Sequence, residues 1–123
     1  KIALLGSDIP TLNVEDLNEA LSKRLDKRSH FFSTEDGGFC FMISNDHNVV
    51  NCLSKVKYST TSVMQTLTEC LGQADVSNKI FTDVDETFDL RRVYAQLSTD
   101  IDNLSNEQKD LLYFLKANEG SFT

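Results

Sequence analysis

The chain has 123 residues, of which 40% are hydrophobic and 25% charged, with one Pro and five Gly. This composition excludes a disordered chain and suits one domain with a real core. The formal net charge of −7 argues against nucleic acid as a partner, and no apolar run approaches membrane-spanning length. We therefore expect a soluble intracellular protein, cytoplasmic or nuclear, with no membrane partner.

The first part of the chain predicts a strand, a helix and a β-hairpin. Lys1 to Leu5 is typical of a short buried strand. Asn13 is a candidate N-cap, and the apolar residues after it recur at helical spacing, which predicts a helix over 14–28. The hairpin comprises a strand over 30–33, a turn over 34–38 that contains two glycines, and an apolar strand over 39–43.

The middle of the chain gives a mixed signal. Residues 45–58 fit either a helix or a strand, and their β-branched content favours a strand. A helix follows, because Val63, Leu67 and Leu71 recur on one stripe and Gly72 is placed as a C-terminal stop. A further strand is predicted from about Asn78 into the acidic residues that begin at Asp83.

The last third of the chain is wholly helical in pattern. A stripe from Phe88 to Leu104 predicts one helix, and Ser105 with Gln108 forms a capping box that begins a second. We predict an α+β fold in which an antiparallel sheet of three to five strands packs against helices, with a ferredoxin-like layout as one arrangement. Residues 1–123 would form a single domain, made of a sheet part (1–84) and a helical hairpin (85–118).

Three cysteines, Cys40, Cys52 and Cys70, cannot all pair within one chain. Each falls among apolar neighbours, as buried thiols do. We interpret them as free thiols in a reducing compartment.

The acidic segment from Asp83 to Thr87, Asp-Val-Asp-Glu-Thr, is the part of the sequence closest to known catalytic chemistry. It resembles the first motif of the haloacid-dehalogenase-like phosphatases, Asp-x-Asp-x-Thr. The resemblance implies that Asp83 is the phosphorylated nucleophile, that Asp85 is the general acid and base, and that Mg²⁺ lies beside them. The short remainder of the chain predicts helices instead of the parallel strands of that family. A metal-dependent phosphoryl-transfer enzyme, or a fragment of one, centred on Asp83 and Asp85 is therefore an alternative.

Two further interpretations concern the same acidic residues. Asp83, Asp85, Thr87 and Asp89 fall at calcium-loop spacing, but Phe88 and Tyr94 stand where that loop needs Gly and Glu. Acidic residues at a strand-to-helix junction also cap the helix and complement its dipole, and we favour this interpretation. The sequence thus predicts no cofactor, with Mg²⁺ or Ca²⁺ at Asp83 and Asp85 left open.

The hairpin carries a second resemblance. Residues 38–42, Gly-Phe-Cys-Phe-Met, resemble the third-strand motif of RNA-recognition-motif domains. The resemblance implies that Phe39 and Phe41 stack on bases. An RNA-binding domain is the second alternative, and the negative charge of the chain argues against it.

The favoured function follows from the charge distribution. Residues 75–123 carry ten acidic and five basic side chains, so the acidic surface belongs mainly to the predicted helical hairpin. We predict a non-enzymatic regulatory module that binds a basic protein or a second copy of itself through this surface. An inhibitor or adaptor of phage or viral type is one form of such a module. The candidate contact residues are Asp83, Asp85, Glu86, Asp89, Tyr94, Asp100 and Asp102.

Overall fold

The computed structural model describes residues 1–23 and 28–122. Within these ranges four strands form one mixed sheet, in the order β1-β3-β2-β4: β1 (Ile2–Leu5), β2 (Ser29–Ser33), β3 (Phe39–Ser44) and β4 (Ala74–Val76). The α-helices of the same ranges are α1 (Val14–Ser22), α2 (Val49–Ser54), α3 (Val63–Leu71), α4 (Thr87–Thr99) and α5 (Asn106–Ala117). Short 3₁₀ turns, Ile101–Asn103 and Glu119–Ser121, follow α4 and α5.

The sheet confirms the α+β class and the predicted number of strands, but not its purely antiparallel character. β3 pairs antiparallel with both β1 and β2, whereas β4 runs parallel to β2. β3 and two helices lie between β2 and β4 in the chain. A connection of that length can bring two parallel strands side by side. The mixed sheet also departs from the antiparallel sheet expected of a ferredoxin-like layout.

The predicted hairpin is present as β2 and β3, with one irregularity. Phe32 pairs with Phe41 and Ser33 pairs with Phe39, so β3 carries Cys40 as an extra residue. Such a β-bulge reverses the side of the strand on which the next residue lies. Phe41 accordingly packs in one core cluster and Phe39 against another, so the two rings lie on opposite sides of the sheet.

Among the described residues, three apolar clusters make up the core. One cluster lies on the side of the sheet that α1 covers and contains Ile9, Ala20, Phe32, Cys40, Phe41, Ile43 and Phe81. The opposite side, under α2 and α3, contains Phe31, Met42, Val49, Cys52, Val56, Val63 and Leu67. The third lies between α4 and α5 and contains Val93, Leu97, Leu112, Leu115 and Phe122.

Three predicted elements differ from the structure. Residues 45–58 contain α2, and the preference for a strand is wrong because this segment buries Val49 and Cys52 against the sheet. The strand predicted from Asn78 is reduced to a single parallel bridge between Phe81 and Thr34. β1 is exposed instead of buried, since it forms an edge of the sheet.

Some predicted boundaries hold, whereas the helix predicted to reach Leu104 ends at Thr99. Gly72 ends α3 with a positive φ of 71°, and the capping box of Ser105 and Gln108 begins α5. α1 begins after Asn13 as predicted and ends at Ser22, while residues 24–27 of the predicted helix lie outside the described ranges. The two C-terminal helices contact each other. The division at residue 84 stays a prediction.

The cysteines correct another expectation. Cys52 of α2 and Cys70 of α3 form a disulfide, so the interpretation of these two as free thiols is wrong. Cys40 is a buried free thiol, and burial raises its pKa to about 12. A thiol with that pKa is inert as a nucleophile at neutral pH. No described helix has both the length and the apolar character needed to span a membrane.

Candidate active site

Three carboxylates from distant parts of the sequence meet at one end of the sheet. Asp8 follows β1, whereas Asp83 and Asp85 lie between the Phe81 bridge and α4. One side-chain oxygen from each lies within 4.8 Å of the others. Asp83 is half-buried, and Asp8 and Asp85 are exposed.

Backbone hydrogen bonds hold the two segments together. The N–H of Val84 donates to the carbonyl oxygen of Asp8 at 3.0 Å. On the Asp83 side, the Phe81 N–H donates to the Ser33 carbonyl at 2.9 Å, which extends the pairing with β2. On the Asp8 side, the Gly6 N–H donates to the Cys40 carbonyl at 2.7 Å. The sheet therefore positions both sources of carboxylate.

The hairpin turn adds a fourth carboxylate, Asp36. Its side chain accepts a hydrogen bond from the Thr34 hydroxyl and one from the Gly38 N–H at 3.0 Å. Burial acts to raise the pKa of Asp36, but these hydrogen bonds and one from Asp83 outweigh burial and hold the pKa below its usual value. Asp36 thus stays ionised more readily than an ordinary aspartate.

The Asp83 carboxyl has the opposite behaviour. Burial raises its pKa to about 6, and the negative charges of Asp36, Asp85 and Asp8 act in the same direction. Below this pH Asp83 holds a proton, which suits its hydrogen bond to Asp36. Above it, several negative charges share a small volume. Carboxylate oxygens gathered in this way form a donor set for a hard divalent cation such as Mg²⁺ or Ca²⁺.

Two cavities meet at the carboxylates, and Asp36, Asp83 and Asp85 line both of them. The larger has a volume of about 520 Å³ and is further lined by Thr34, Gly38, Phe39, Tyr58, Ser59, Thr60, Thr61 and Val63. The smaller, of about 350 Å³, is further lined by Glu35, Thr82, Asp89 and Arg92. In the smaller cavity the Arg92 guanidinium forms an ion pair with Glu35. The carboxylates therefore stand between two spaces that can each hold a molecule.

The loop over 58–61 forms part of the wall of the larger cavity. Ser59 has a φ of 62°, in the left-handed region that non-glycine residues seldom adopt. The loop packs closely on the hairpin turn: a Cβ added to Gly37 would lie 2.2 Å from the carbonyl oxygen of Thr61. The turn that carries Asp36 and the hydroxyl-bearing loop are thus held as one unit.

The acidic cap predicted for α4 is present, and Glu86 and Asp89 form it. The Asp89 carboxylate accepts hydrogen bonds from the N–H groups of Asp85 at 3.0 Å and Glu86 at 2.9 Å, at the start of α4. Asp83 and Asp85 instead line the cavities. The acidic run therefore caps α4 as predicted, through Glu86 as the N-cap and Asp89, whereas Asp83 and Asp85 take no part in the cap.

The remaining predicted contact residues lie apart from this cluster. Glu86 is exposed at the start of α4, and Tyr94 is half-buried beside Phe122 in the third core cluster. Asp100 accepts a hydrogen bond from Asn103 in the turn after α4, where Asp102 is also exposed. The structure therefore does not bring these predicted residues into one site.

The two aromatic residues predicted to stack on bases do not form a platform. Phe41 is 3% exposed in the cluster under α1, and Phe39 packs half-buried on the opposite side of the sheet. Stacking needs rings open to solvent on one face. The bulge at Cys40 therefore removes the arrangement that the resemblance implied.

Sequence reasoning missed Asp8, Asp36 and the hydroxyls of the 58–61 loop. A weak signal existed for Asp8, since it follows the end of an apolar strand, as Asp83 was expected to do. Asp36 gave no signal beyond that of an ordinary turn residue. Nothing in the sequence alone brings the 58–61 loop to the acidic residues.

No protein-family model and no curated protein matches the chain. Among solved structures, it is similar to the crystal structure of a putative nucleotide-diphospho-sugar transferase from Desulfovibrio desulfuricans G20, with a TM-score of 0.78 and 21% identity. The match covers 98% of this chain and 53% of that protein, so the chain spans about half of its length. At this identity the likeness establishes the fold.

These findings overturn the prediction of a non-enzymatic binding module of phage or viral type. The fold is similar to that of a putative nucleotide-diphospho-sugar transferase over nearly the whole chain. In addition, Asp8, Asp83 and Asp85 form a cluster able to hold a metal ion. The alternative of a metal-dependent enzyme centred on Asp83 and Asp85 is better supported, and Asp8 joins it.

Proposed function

We propose that this protein is a divalent-cation-dependent enzyme that transfers the sugar of a nucleoside diphosphate sugar. The observation that carries the proposal is the meeting of Asp8, Asp83 and Asp85, one oxygen of each within 4.8 Å of the others, with Asp83 and Asp85 lining two cavities. The name of the structurally similar protein supports the substrate class. The proposal replaces phosphoryl transfer with sugar transfer.

The donor set fits the proposed cation. Mg²⁺ and Ca²⁺ prefer oxygen ligands, and carboxylates supply them with charge. A cation bound here would neutralise the diphosphate as negative charge develops on it. Without such a cation, a diphosphate would meet the negative charges of Asp8, Asp36, Asp83 and Asp85, and Arg92 is already paired with Glu35. The acidic character of the site therefore supports cation dependence.

The two cavities suit a reaction with two substrates. In sugar transfer the bond between the anomeric carbon and the diphosphate oxygen breaks, and the oxygen of an acceptor hydroxyl bonds to that carbon. The nucleoside diphosphate leaves with the electron pair, and the proton of the acceptor passes to water. Donor and acceptor must approach one centre from different sides. The cavities on either side of Asp36, Asp83 and Asp85 provide such an arrangement.

Thermal unfolding with metal titration tests the cation site. We expect millimolar Mg²⁺ or Mn²⁺ to raise the melting temperature of the wild type, because a ligand that binds only the folded state stabilises it. Asp8→Asn and Asp85→Asn should each lose most of this rise. Asp102→Asn is the matched control, since Asp102 is exposed in the turn after α4 and should leave the rise unchanged.

Release of nucleoside diphosphate from a panel of nucleoside diphosphate sugars tests the reaction. We expect metal-dependent release that Asp8→Asn and Asp85→Asn reduce and Asp102→Asn does not. Equal melting temperatures with and without metal in the wild type, together with no release from any donor, would refute the proposed function.

The disulfide bears on the compartment. Free thiols were the reason to expect a reducing compartment, but Cys52 and Cys70 are paired. Structural disulfides are typical of oxidising compartments. We therefore propose that the chain folds under oxidising conditions, in place of the predicted cytoplasmic or nuclear location. The test is alkylation of the unreduced protein under denaturing conditions, followed by mass spectrometry. One cysteine of the three should then be labelled.

A further inference from the structure

We infer that the larger cavity receives the sugar of the donor substrate and that the hydroxyls of Ser59 and Thr61 determine which sugar is accepted. This inference rests on the proposed function and names the part of the substrate that each wall of the cavity contacts. The metal ion and the diphosphate are assigned to the part of the cavity that Asp36, Asp83 and Asp85 line. The 58–61 loop, which lines the same cavity, then faces the sugar.

The chemistry of the cavity favours a neutral, polyhydroxylated occupant. Apart from Asp36, Asp83 and Asp85, the lining of this cavity consists of hydroxyl, aromatic, aliphatic and glycine residues. None of these described lining residues is basic, so a phosphate placed against the loop would find no opposite charge. Hydroxyl groups both donate and accept, which matches the hydroxyls of a sugar, and Phe39 and Tyr58 offer apolar surface to its ring.

Two of the loop hydroxyls are available for a ligand. The Tyr58 hydroxyl donates to the Leu53 carbonyl at 2.9 Å, and the Thr60 hydroxyl donates to the Lys57 carbonyl at 2.7 Å. Those two groups maintain the loop itself. Ser59 and Thr61 are exposed and their side chains make no hydrogen bond to any residue that the structure describes.

The loop is held in place before any ligand arrives. The Met64 N–H donates to the Gly37 carbonyl at 3.0 Å, and Gly37 fits against Thr61 with no space for a Cβ. The hydroxyls of Ser59 and Thr61 are therefore carried by a loop whose backbone is anchored to the turn that carries Asp36. Binding energy is not spent on ordering such a loop, and this makes it suited to selecting among similar sugars.

Ligand-observed saturation-transfer NMR of the whole chain tests this inference. The probes are UDP-glucose, GDP-mannose and the matching nucleoside diphosphates, each with millimolar Mg²⁺. The test variant is Ser59→Gly with Thr61→Val, which removes both hydroxyls while glycine accepts the positive φ of residue 59. The control is Thr99→Val, whose hydroxyl bonds to the Ala95 carbonyl on α4, away from both cavities.

We expect the sugar protons to receive saturation from the wild type and from Thr99→Val. The double variant should bind the nucleotide sugars about tenfold more weakly, as the loss of two neutral hydrogen bonds implies, and bind the nucleoside diphosphates as before. Its melting temperature should equal that of the wild type.

Three results would overturn the inference. If the double variant binds nucleotide sugars as tightly as the wild type, the loop does not contact the sugar, and the proposed function stands without it. If saturation falls on the base protons alone, the cavity holds the nucleobase. If Mg²⁺ promotes binding of no probe to the wild type, the proposed function fails as well.

Discussion

The backbone N–H of Val84 donates a 3.0 Å hydrogen bond to the carbonyl oxygen of Asp8. This bond joins the segment after β1 to the segment before α4, and each segment contributes carboxylates to the same cluster. The two segments are far apart in sequence, so only the folded sheet brings their charges together. Burial raises the pKa of Asp83, and the negative charges gathered around it act in the same direction.

The contribution of Asp83 to the stability of the protein should fall as pH rises from about 4 to about 6. The pKa of Asp83 is about 6 in the folded state and near 3.8 in the unfolded state, so the folded state holds its proton more tightly. That stabilisation is present below the unfolded pKa and is lost as pH rises through the folded pKa. Urea unfolding across this range measures it.

Asp83→Asn should remove most of that fall and be more stable than the wild type at pH 7 without metal. Asp102→Asn, which changes an exposed carboxylate outside the cluster, should keep the fall. The same pH dependence in Asp83→Asn and the wild type would contradict the assignment of the raised pKa to Asp83. The lowered pKa of Asp36 acts oppositely, and only below about pH 4.

Gly37→Ala should destabilise the fold and weaken metal binding together. Gly37 has a φ of 88°, and its added Cβ would lie 2.2 Å from the Thr61 carbonyl oxygen. The unfavourable φ of an alanine here and its clash with Thr61 should cost roughly 1–3 kcal/mol of stability. Relief of the clash would displace the turn that carries Asp36. Chemical unfolding and metal titration measure the two effects.

Gly72→Ala is the matched control for Gly37→Ala. Gly72 also has a positive φ, of 71°, but a Cβ there would meet no atom within 4 Å. It should lose some stability through φ alone and retain the metal-induced rise in melting temperature. If Gly37→Ala behaves in the same way as Gly72→Ala, the packing of Thr61 on Gly37 has no part in the site.

Removal of the disulfide should lower the free energy of unfolding by about 3 kcal/mol, the value expected for a loop of this length. The disulfide closes a stretch of 18 residues that includes the 58–61 loop, so the double variant Cys52→Ala, Cys70→Ala should also bind substrate more weakly. Cys40→Ala is the comparison variant, because Cys40 is unpaired and lies in the core cluster on the α1 side of the sheet. Unchanged stability of the double variant would contradict a pairing of Cys52 with Cys70.

Gln108→Leu should cost about 2 kcal/mol of stability through the loop that follows Asp8. The buried Gln108 amide donates to the carbonyls of Pro10 at 3.0 Å and Leu12 at 3.2 Å. Leucine keeps the volume and leaves both carbonyls and the Ser105 N–H without this partner. Gln65→Leu on the exposed face of α3 should cost little by comparison, as urea unfolding would show.

Local signals in the sequence predicted the elements whose causes are local. The N-cap of α1, the Ser105 capping box, the Gly72 stop and the hairpin turn each depend on a few neighbouring residues, and all are present. The segment over 45–58 was misassigned because its β-branched residues pack on the sheet as a helix. That packing is a tertiary effect, and no local propensity reports it.

The site illustrates the same division. Asp83 and Asp85 stood out in the sequence because two carboxylates follow an apolar run. This pattern indicates a candidate metal or catalytic site without any knowledge of the structure. The sequence by itself determined the α+β class, several helix ends and this acidic pair. Only the tertiary structure decided that Asp8 and Asp36 join the pair, that Asp89 caps α4 instead, and that the 58–61 loop faces the carboxylates. Pairing between distant strands creates these contacts, and one residue of bulge changes which side chains meet.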